Sequence, residues 1–523
     1  MDEITRHRIG KEVEHFIASI DCSAVCALAS SFHPQKKLCR IFDEKKKGAF
    51  NVCFPVEFLE DPGNEDTIRE RWMVRIPLLP RLAFPDEKLR AEIATMKFIA
   101  EKTTIPIPCL RGYSISKDNI LGLPLMLLNF VDGEMLVKVN LLKLPAPRRR
   151  HLYSQLGNIY LQLFQHQFDH IGALTLDSND DNWVFERNRP LSVYMNEQSL
   201  AGAEPCRYIS PNQIYHSTID YVLMVHQALL DDFHRVPGSI SSEVDAHAYL
   251  YNIYQLRQFL MEWVKPELNH GPFVLMHGDL RSANILVDED LNITSVLDWE
   301  WTHTIPQQMF VPPSWLTGCE LIGVTKQYAR LSYEARVFDF EMETSDVEHT
   351  YHPKCCDIDE LPLTKLWNKK FGSPDIFIAH GLMQPHYFGN VFTSVLDHDY
   401  YRQDIAHRKR VDEFFAMEIR QPELEAVRQK LDELELFKNE CNSLGIKIDT
   451  NNYNKLENDV IPLGSNLESQ GHKSSSLSNV MKGWFSGYRT EFSLLAGGPS
   501  PQYWVAGVTL GLACSVIIAC QWK

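Results

Sequence analysis

Residues 273–304 read FVLMHGDLRSANILVDEDLNITSVLDWEWTHT, and this stretch restricts the fold more tightly than any other. The apolar run Phe273–Met276 has the length of a buried strand and delivers His277, Gly278 and Asp279 at its end. Ile285, Leu286 and Val287 then form one apolar arm and Ile293, Ser295, Val296 and Leu297 another, with polar residues from Glu289 to Asn292 between them. Two such arms read as an antiparallel hairpin. With Asp290 to Asn292 as its loop, Ile285 pairs with Leu297 and Asn284 stands directly opposite Asp298. The pattern therefore predicts two oxygen-bearing side chains meeting at one point.

An amide and a carboxylate oxygen, completed by phosphates and water, form a donor set that magnesium accepts. Asp279 and Asn284 stand five apart, as a loop requires if a carboxylate is to orient an acceptor hydroxyl while an amide oxygen holds a metal on phosphates. That spacing alone is common. Its joint occurrence with His277, Gly278, an apolar hairpin and Asp298 points to a phosphotransfer core. His277 is expected to bond the loop backbone rather than move a proton.

With these residues the stretch resembles the aminoglycoside phosphotransferase and choline kinase-like branch of the kinase superfamily, in its filamentous-fungal form. Further phrases that carry the resemblance are WMVRIP at Trp72–Pro77, AEIATMKFI at Ala91–Ile99, IGALTLD at Ile171–Asp177 and VPPSWLTG at Val311–Gly318. The resemblance covers about Lys47 to Glu440. It implies an α+β, bilobal protein-kinase-like fold, with a small N-terminal β-sheet lobe carrying one key helix and a larger, mainly helical C-terminal lobe. It also implies ATP and Mg2+ as cofactors, Asp279 as catalytic base, and Asn284 and Asp298 as magnesium ligands.

The small lobe reads the same way. Phe50–Phe58 and Arg71–Ile76 have strand character, and Pro85 and Asp86 open a helix that carries Leu89, Ile93 and Met96 on one face to about Glu101. Strand-like segments follow at Leu110–Ser114 and Pro124–Phe130, then helical runs at Arg148–Phe168 and Tyr215–Phe233. Gly48 lies in the turn where a phosphate loop would fall, and a plain hairpin turn is its ordinary alternative. Arg75 and Glu92 resemble the cation and carboxylate that position nucleotide phosphates, with a surface ion pair as the alternative. Family enzymes generally have lysine where Arg75 stands, and a guanidinium is planar and bulkier. Leu128, Asn129 and Phe130 would be the hinge that reads adenine through backbone groups. Glu300 and Asp279 are acidic residues near the cleft that would favour a cationic acceptor.

The expected organisation is an N-terminal helical extension over 1–46, the small lobe over 47–130, the large lobe over 131–440, a flexible linker over 441–502 and an apolar C-terminal segment over 503–521. Val411 to Glu440 reads as two surface helices interrupted at Pro422. From Tyr503 to Cys520 no residue is charged, so this segment is expected to anchor a cytoplasmic catalytic unit to a membrane, with an amphipathic or buried helix as the alternative. The net charge of −16 and the lack of a basic stripe exclude a nucleic-acid partner. The twelve cysteines show no CxxC spacing, and His349, His352, Cys355 and Cys356 follow no known zinc pattern. The expected activity is phosphoryl transfer to a hydroxyl of a small molecule. A pseudokinase scaffold is the rival from another class, favoured by Arg75. A true protein kinase is disfavoured, because the chain reads Asp298-Trp299-Glu300 in place of a DFG triplet and lacks a GxGxxG loop.

Overall fold

Helix capping sets the N-terminal architecture of the computed structural model. Asp2 accepts from the Thr5 N–H to open α1 (Glu3–Ser19), and Asp21 accepts from the Ser23 N–H to open α2 (Cys22–Phe32). The structure describes residues 1–59, 70–203, 209–351, 362–368, 370, 373–401 and 406–448. The segment expected at 503–521, the expected linker beyond residue 448, His352, Cys355 and Cys356 lie outside the described residues. Among the described residues no single helix is long and apolar enough to cross a membrane.

After α2 the chain enters a six-stranded antiparallel sheet. Its strands are β1 (Cys39–Ile41), β2 (Lys46–Lys47), β3 (Asn51–Phe58), β4 (Arg71–Pro77), β5 (Leu110–Ser114) and β6 (Leu125–Asn129), in the order β1-β3-β4-β6-β5 with β2 on β3. The helical extension thus gives way to sheet before residue 46, because β1 pairs with β3 from Cys39 onward. Side chains alternate across the sheet. Val52, Phe54, Val56, Trp72, Val74, Leu125 and Leu127 join Ile9, Val13, Ile17, Val25 and Leu28 of the two N-terminal helices in one buried cluster. Cys53, Arg75 and Met126 are cross-strand partners and share the opposite face. One face is thereby sealed by the chain's own N-terminus, and the other is left for α3 (Pro85–Lys102) and the interlobe cleft. On α3, Leu89, Ile93 and Met96 are all buried in the main core, as their spacing predicts.

The large lobe begins with β7 (Glu134–Met135), α4 (Ala146–Gln165), β8 (Gln167–Phe168) and the β9 (Thr175–Leu176)–β10 (Trp183–Val184) pair. Helices α5 (Val193–Leu200), α6 (Thr218–Arg235) and α7 (Glu243–Trp263) follow. Two expected helix bounds shift for local reasons. Phe168 leaves the helix to pair with Phe273 of β11 (Phe273–Met276). Tyr215 bridges Ile171, and Ser217 caps the next helix by accepting from the Asp220 N–H. The hairpin β12 (Ile285–Val287)–β13 (Ile293–Val296), then β14 (His303–Pro306), α8 (Leu321–Thr325) and α9 (Gln327–Tyr351), build the rest of the lobe's centre. Two further helices, His407–Phe415 and Gln421–Ser443, divide the expected surface pair, with Pro422 in the first turn of the second.

Helix α9 buries an unbalanced acid. Glu341 is only 4% exposed, and its Oε2 has no hydrogen-bond partner among the described residues. Burial pushes its carboxyl up from 4.5 to about 7. The unfolded chain therefore ionises this group first, so it subtracts stability progressively from about pH 4.5 to 7 and by a constant amount above. At ~1.4 kcal/mol per pKa unit, the full penalty is about 3 kcal/mol. Glu341→Gln is expected to raise urea-unfolding stability by ~2–3 kcal/mol at pH 8 and by little at pH 4.5. An equal gain at both pH values would contradict this account.

Candidate active site between the lobes

The hairpin predicted from the apolar arms forms, but its register differs by one residue. Ile285 pairs with Val296 and Leu286 with Ser295, and a bulge then sets Val287 against Ile293. The loop is longer than expected because Asp288 holds it. Its backbone N–H donates to the Asn292 carbonyl, while its carboxylate accepts from the Asp290 and Asn292 backbone N–H groups and from the Asn292 side chain. Asn284 therefore faces Leu297, whose N–H donates to the Asn284 carbonyl at 2.8 Å, and not Asp298. Asp298 is brought to the cavity that Asn284 lines by a different device. Its φ of +62° turns the chain left-handed just past the hairpin.

The loop before the hairpin is fixed from several sides. His277 Nε2 donates to the Leu297 carbonyl at 2.7 Å and its Nδ1 accepts from the Asp279 N–H at 3.3 Å. Burial pulls its pKa down to about 4, so the ring stays neutral and braces the backbone. Gly278 has φ +79°, and a Cβ there would run into the Trp301 carbonyl, so no other residue fits. Asn284 Nδ2 donates to the Asp279 carbonyl at 2.8 Å and to Asp279 Oδ2 at 3.2 Å. Spending the amide nitrogen this way leaves Oδ1 as the atom suited to a cation. Burial pushes the Asp279 carboxyl up to about 6, against the pull of Arg281, whose Nε lies 2.8 Å from Oδ1.

The expected Arg75–Glu92 pair is present at 3.1 Å and is buried, which excludes the surface-pair alternative. It belongs to a larger cluster. The Arg75 guanidinium also reaches Asp298 Oδ1 at 2.5 Å and Glu300 Oε2 at 3.0 Å. Lys88, one helical turn before Glu92 and completely buried, contacts Glu92 at 3.3 Å and Glu300 at 2.5 Å, and Asn51 Nδ2 donates to Glu300 at 2.6 Å. Burial and the surplus of three carboxylates over two cations raise the Glu92 pKa, whereas Lys88 and Arg75 overcome burial at Glu300 and hold it low. Glu300 is therefore committed to the cluster, which corrects its expected part in attracting a cationic acceptor. Lys88 and the bond from Asn51 to Glu300 are not foreshadowed in the sequence analysis. The i, i+4 spacing of Lys88 and Glu92 on α3 was the available signal for the first.

Gly48, Arg75, Glu92, Leu128, Asn129, Phe130, Asp279, Asn284 and Asp298 all line one cavity of about 1010 Å³ between the sheet and the large lobe. Gly48 sits in the β2–β3 turn, its N–H donating to the Asn51 carbonyl at 2.8 Å. No positive φ demands glycine there. At the expected hinge, the Asn129 N–H already donates to the Cys109 carbonyl and the Phe130 N–H to the Arg71 carbonyl. Both donors are spent inside the sheet, so only carbonyl oxygens and side chains of these two residues remain to meet a base. Among the described residues no three His, Cys, Asp or Glu side chains gather as a metal site of their own. One carboxylate and one amide oxygen nonetheless suit magnesium, which keeps several waters and takes phosphate oxygens.

The chain is similar to several known proteins. A curated relative, the clavilactone A biosynthesis cluster protein Y of Ampulloclitocybe clavipes, is 22% identical over 259 residues, or 49% of this chain. The match spans 57% of that protein's length. Similar solved structures include the GDP complex of an aminoglycoside 2′-phosphotransferase-IIIa variant, at 14% identity and TM-score 0.35, covering 73% of this chain and 98% of that one. The ethanolamine kinase of Plasmodium vivax is similar at 11% identity and TM-score 0.32, covering 73% and 83%. The sequence profile of the phosphotransferase enzyme family matches residues 63–306, a span that holds Arg75, Glu92 and the whole loop from His277 to Asp298. Over that span, a little under half of its length, the chain is similar to the phosphotransferase enzyme family.

Proposed function

We propose that this chain transfers the γ-phosphoryl group of ATP to a hydroxyl of a small molecule, with magnesium as cofactor. The observation that carries the reading is the convergence of Asp279, Asn284 and Asp298 on one interlobe cavity beside a buried guanidinium. Asp279 orients the acceptor hydroxyl and accepts its proton; with its pKa near 6 it is ionised at neutral pH. The acceptor oxygen forms the new P–O bond as the bond from the γ-phosphorus to the bridging oxygen breaks, and ADP leaves with that electron pair. Asp298 and Asn284 Oδ1 would hold magnesium, which would supply charge neutralisation at the phosphates. Arg75 adds fixed positive charge on the same side, positioned before the reaction by Glu92 and Glu300.

Ligand-linked stability tests the reading. Saturating ATP with magnesium, at about a hundred times Kd, adds ~2.7 kcal/mol and raises the wild-type Tm by several degrees. Asp298→Ala is expected to abolish that rise while ATP without magnesium gives the same small response in both proteins. The Arg75 grip on Asp298 Oδ1 favours one second reading, a scaffold without turnover. Absence of any magnesium-dependent rise in the wild type would select that reading instead.

A further inference from the structure

The cavity continues past Asp279 into the large lobe, and its chemistry changes there. Beyond the catalytic loop it is walled by α5, α6, β14 and the helix Asp375–Met383 with the turn that follows it. Met195, Met224, Ala228, Trp301, Trp315 and Met383 give these walls their apolar character. The buried histidines among them are neutral. Burial takes the His303 pKa down to about 4, and the ring pairs with the Tyr221 hydroxyl at 3.1 Å and the Trp301 carbonyl at 3.0 Å. Burial likewise takes His380 down to about 3, with the Tyr333 hydroxyl 2.9 Å away.

Charges in this half lie toward its mouth. Glu320 is exposed and Glu197 half-buried, while Arg281 is paired with Asp279. Buried Trp301 lines the cavity, and its Nε1 has no hydrogen-bond partner among the described residues. A polycationic sugar would have to shed its hydration against mostly apolar walls, where Glu197 and Glu320 are the acidic side chains beside Asp279 and neither is fully buried, at a cost of several kcal/mol for each charge left unpaired. A small amino alcohol would leave most of the space unfilled. The whole cavity, at about 1010 Å³, is at the upper limit of small-molecule sites, which run to about 1,000 Å³.

We propose that the acceptor is an uncharged, ring-bearing and largely apolar alcohol or phenol, seated between α5, α6 and β14 with its reacting hydroxyl at Asp279. This rests on the phosphotransferase reading, whose nucleotide half leaves the apolar half for the acceptor.

The test uses the full chain with ADP and magnesium at saturation, so that the nucleotide side is filled. Isothermal titration calorimetry is run with 2-naphthalenemethanol, 4-phenylphenol and 2-decalinol as probes, and with kanamycin and ethanolamine for comparison. At least one ring alcohol is expected to bind, with neither amine binding as tightly, and Met224→Glu is expected to weaken it tenfold or more. ADP affinity is measured in the same protein; if it also falls, Ala228→Trp, which fills the same space without adding charge, is read instead. Binding of none of the three ring alcohols, tighter binding of either amine, or an affinity unchanged in the variant that is read would overturn the inference. Transfer of labelled phosphate from ATP to each compound separates the two claims. A ring alcohol that binds beside ADP but accepts no phosphate counts against the phosphotransferase, whereas transfer to kanamycin or ethanolamine alone counts against the acceptor class.

Discussion

Asp279→Asn is expected to lower the rate of phosphoryl transfer by about 10²- to 10⁴-fold, the range that a positioned general base contributes, with little change in the affinity for ATP and magnesium. The substitution is nearly isosteric. The bond from Asn284 Nδ2 to the residue 279 carbonyl involves backbone and survives, and so does the bond from the residue 279 N–H to His277 Nδ1. What disappears is the carboxylate that accepts the acceptor's proton, together with its ion pair to Arg281. Single-turnover transfer with labelled ATP reads the chemical step, and Mg·ATP titration by calorimetry reads binding. A variant that turns over within tenfold of the wild type would remove Asp279 from the proposed role and leave positioning alone to explain any activity.

The geometry of the loop from His277 to Asn284 was legible because its constraints are local. A short apolar run, a glycine that must accept a left-handed backbone, and an Asp and Asn five apart all lie within one turn of chain, and Gly278 shows why that glycine cannot vary. The meeting of Asn284 and Asp298 at one cavity was foreseen for the wrong reason. Counting from the apolar arms gave a three-residue loop, whereas Asp288 closes a longer one through its side chain, and a single left-handed residue restores the convergence. Loop bonding by one carboxylate and one unusual φ leave no periodic trace. Strand limits in the small lobe could be read to within a residue or two, since β3 and β4 alternate against the buried N-terminal helices. Lys88 was missed because a lysine on an amphipathic helix ordinarily lies at the surface. Only the tertiary placement of Glu300 beside Glu92 makes a buried ammonium tolerable there.

That buried cluster gives the second large expected effect. Arg75→Met removes one of two cations from among three carboxylates, leaving Glu92 and Glu300 to share Lys88 and taking from Asp298 its ion pair with the guanidinium. Breaking a buried ion pair from one side typically costs about 3–5 kcal/mol, because the stranded charge keeps its desolvation penalty and loses its partner. Urea unfolding at pH 7 should show a loss of that size. Arg75→Lys should recover part of it, since an ammonium restores the charge but cannot span Asp298 on one side and Glu92 with Glu300 on the other, as the two guanidinium nitrogens do. Combining Arg75→Met with Glu92→Gln removes a carboxylate along with the cation and should be less destabilised than the sum of the single variants by at least 1 kcal/mol, which would measure the coupling directly. Nucleotide affinity should fall in all the Arg75 variants, because the same guanidinium joins α3 to Asp298 across the cleft. Strict additivity in that cycle, with Arg75→Met within 1 kcal/mol of the wild type, would mean that packing alone holds the lobes in register.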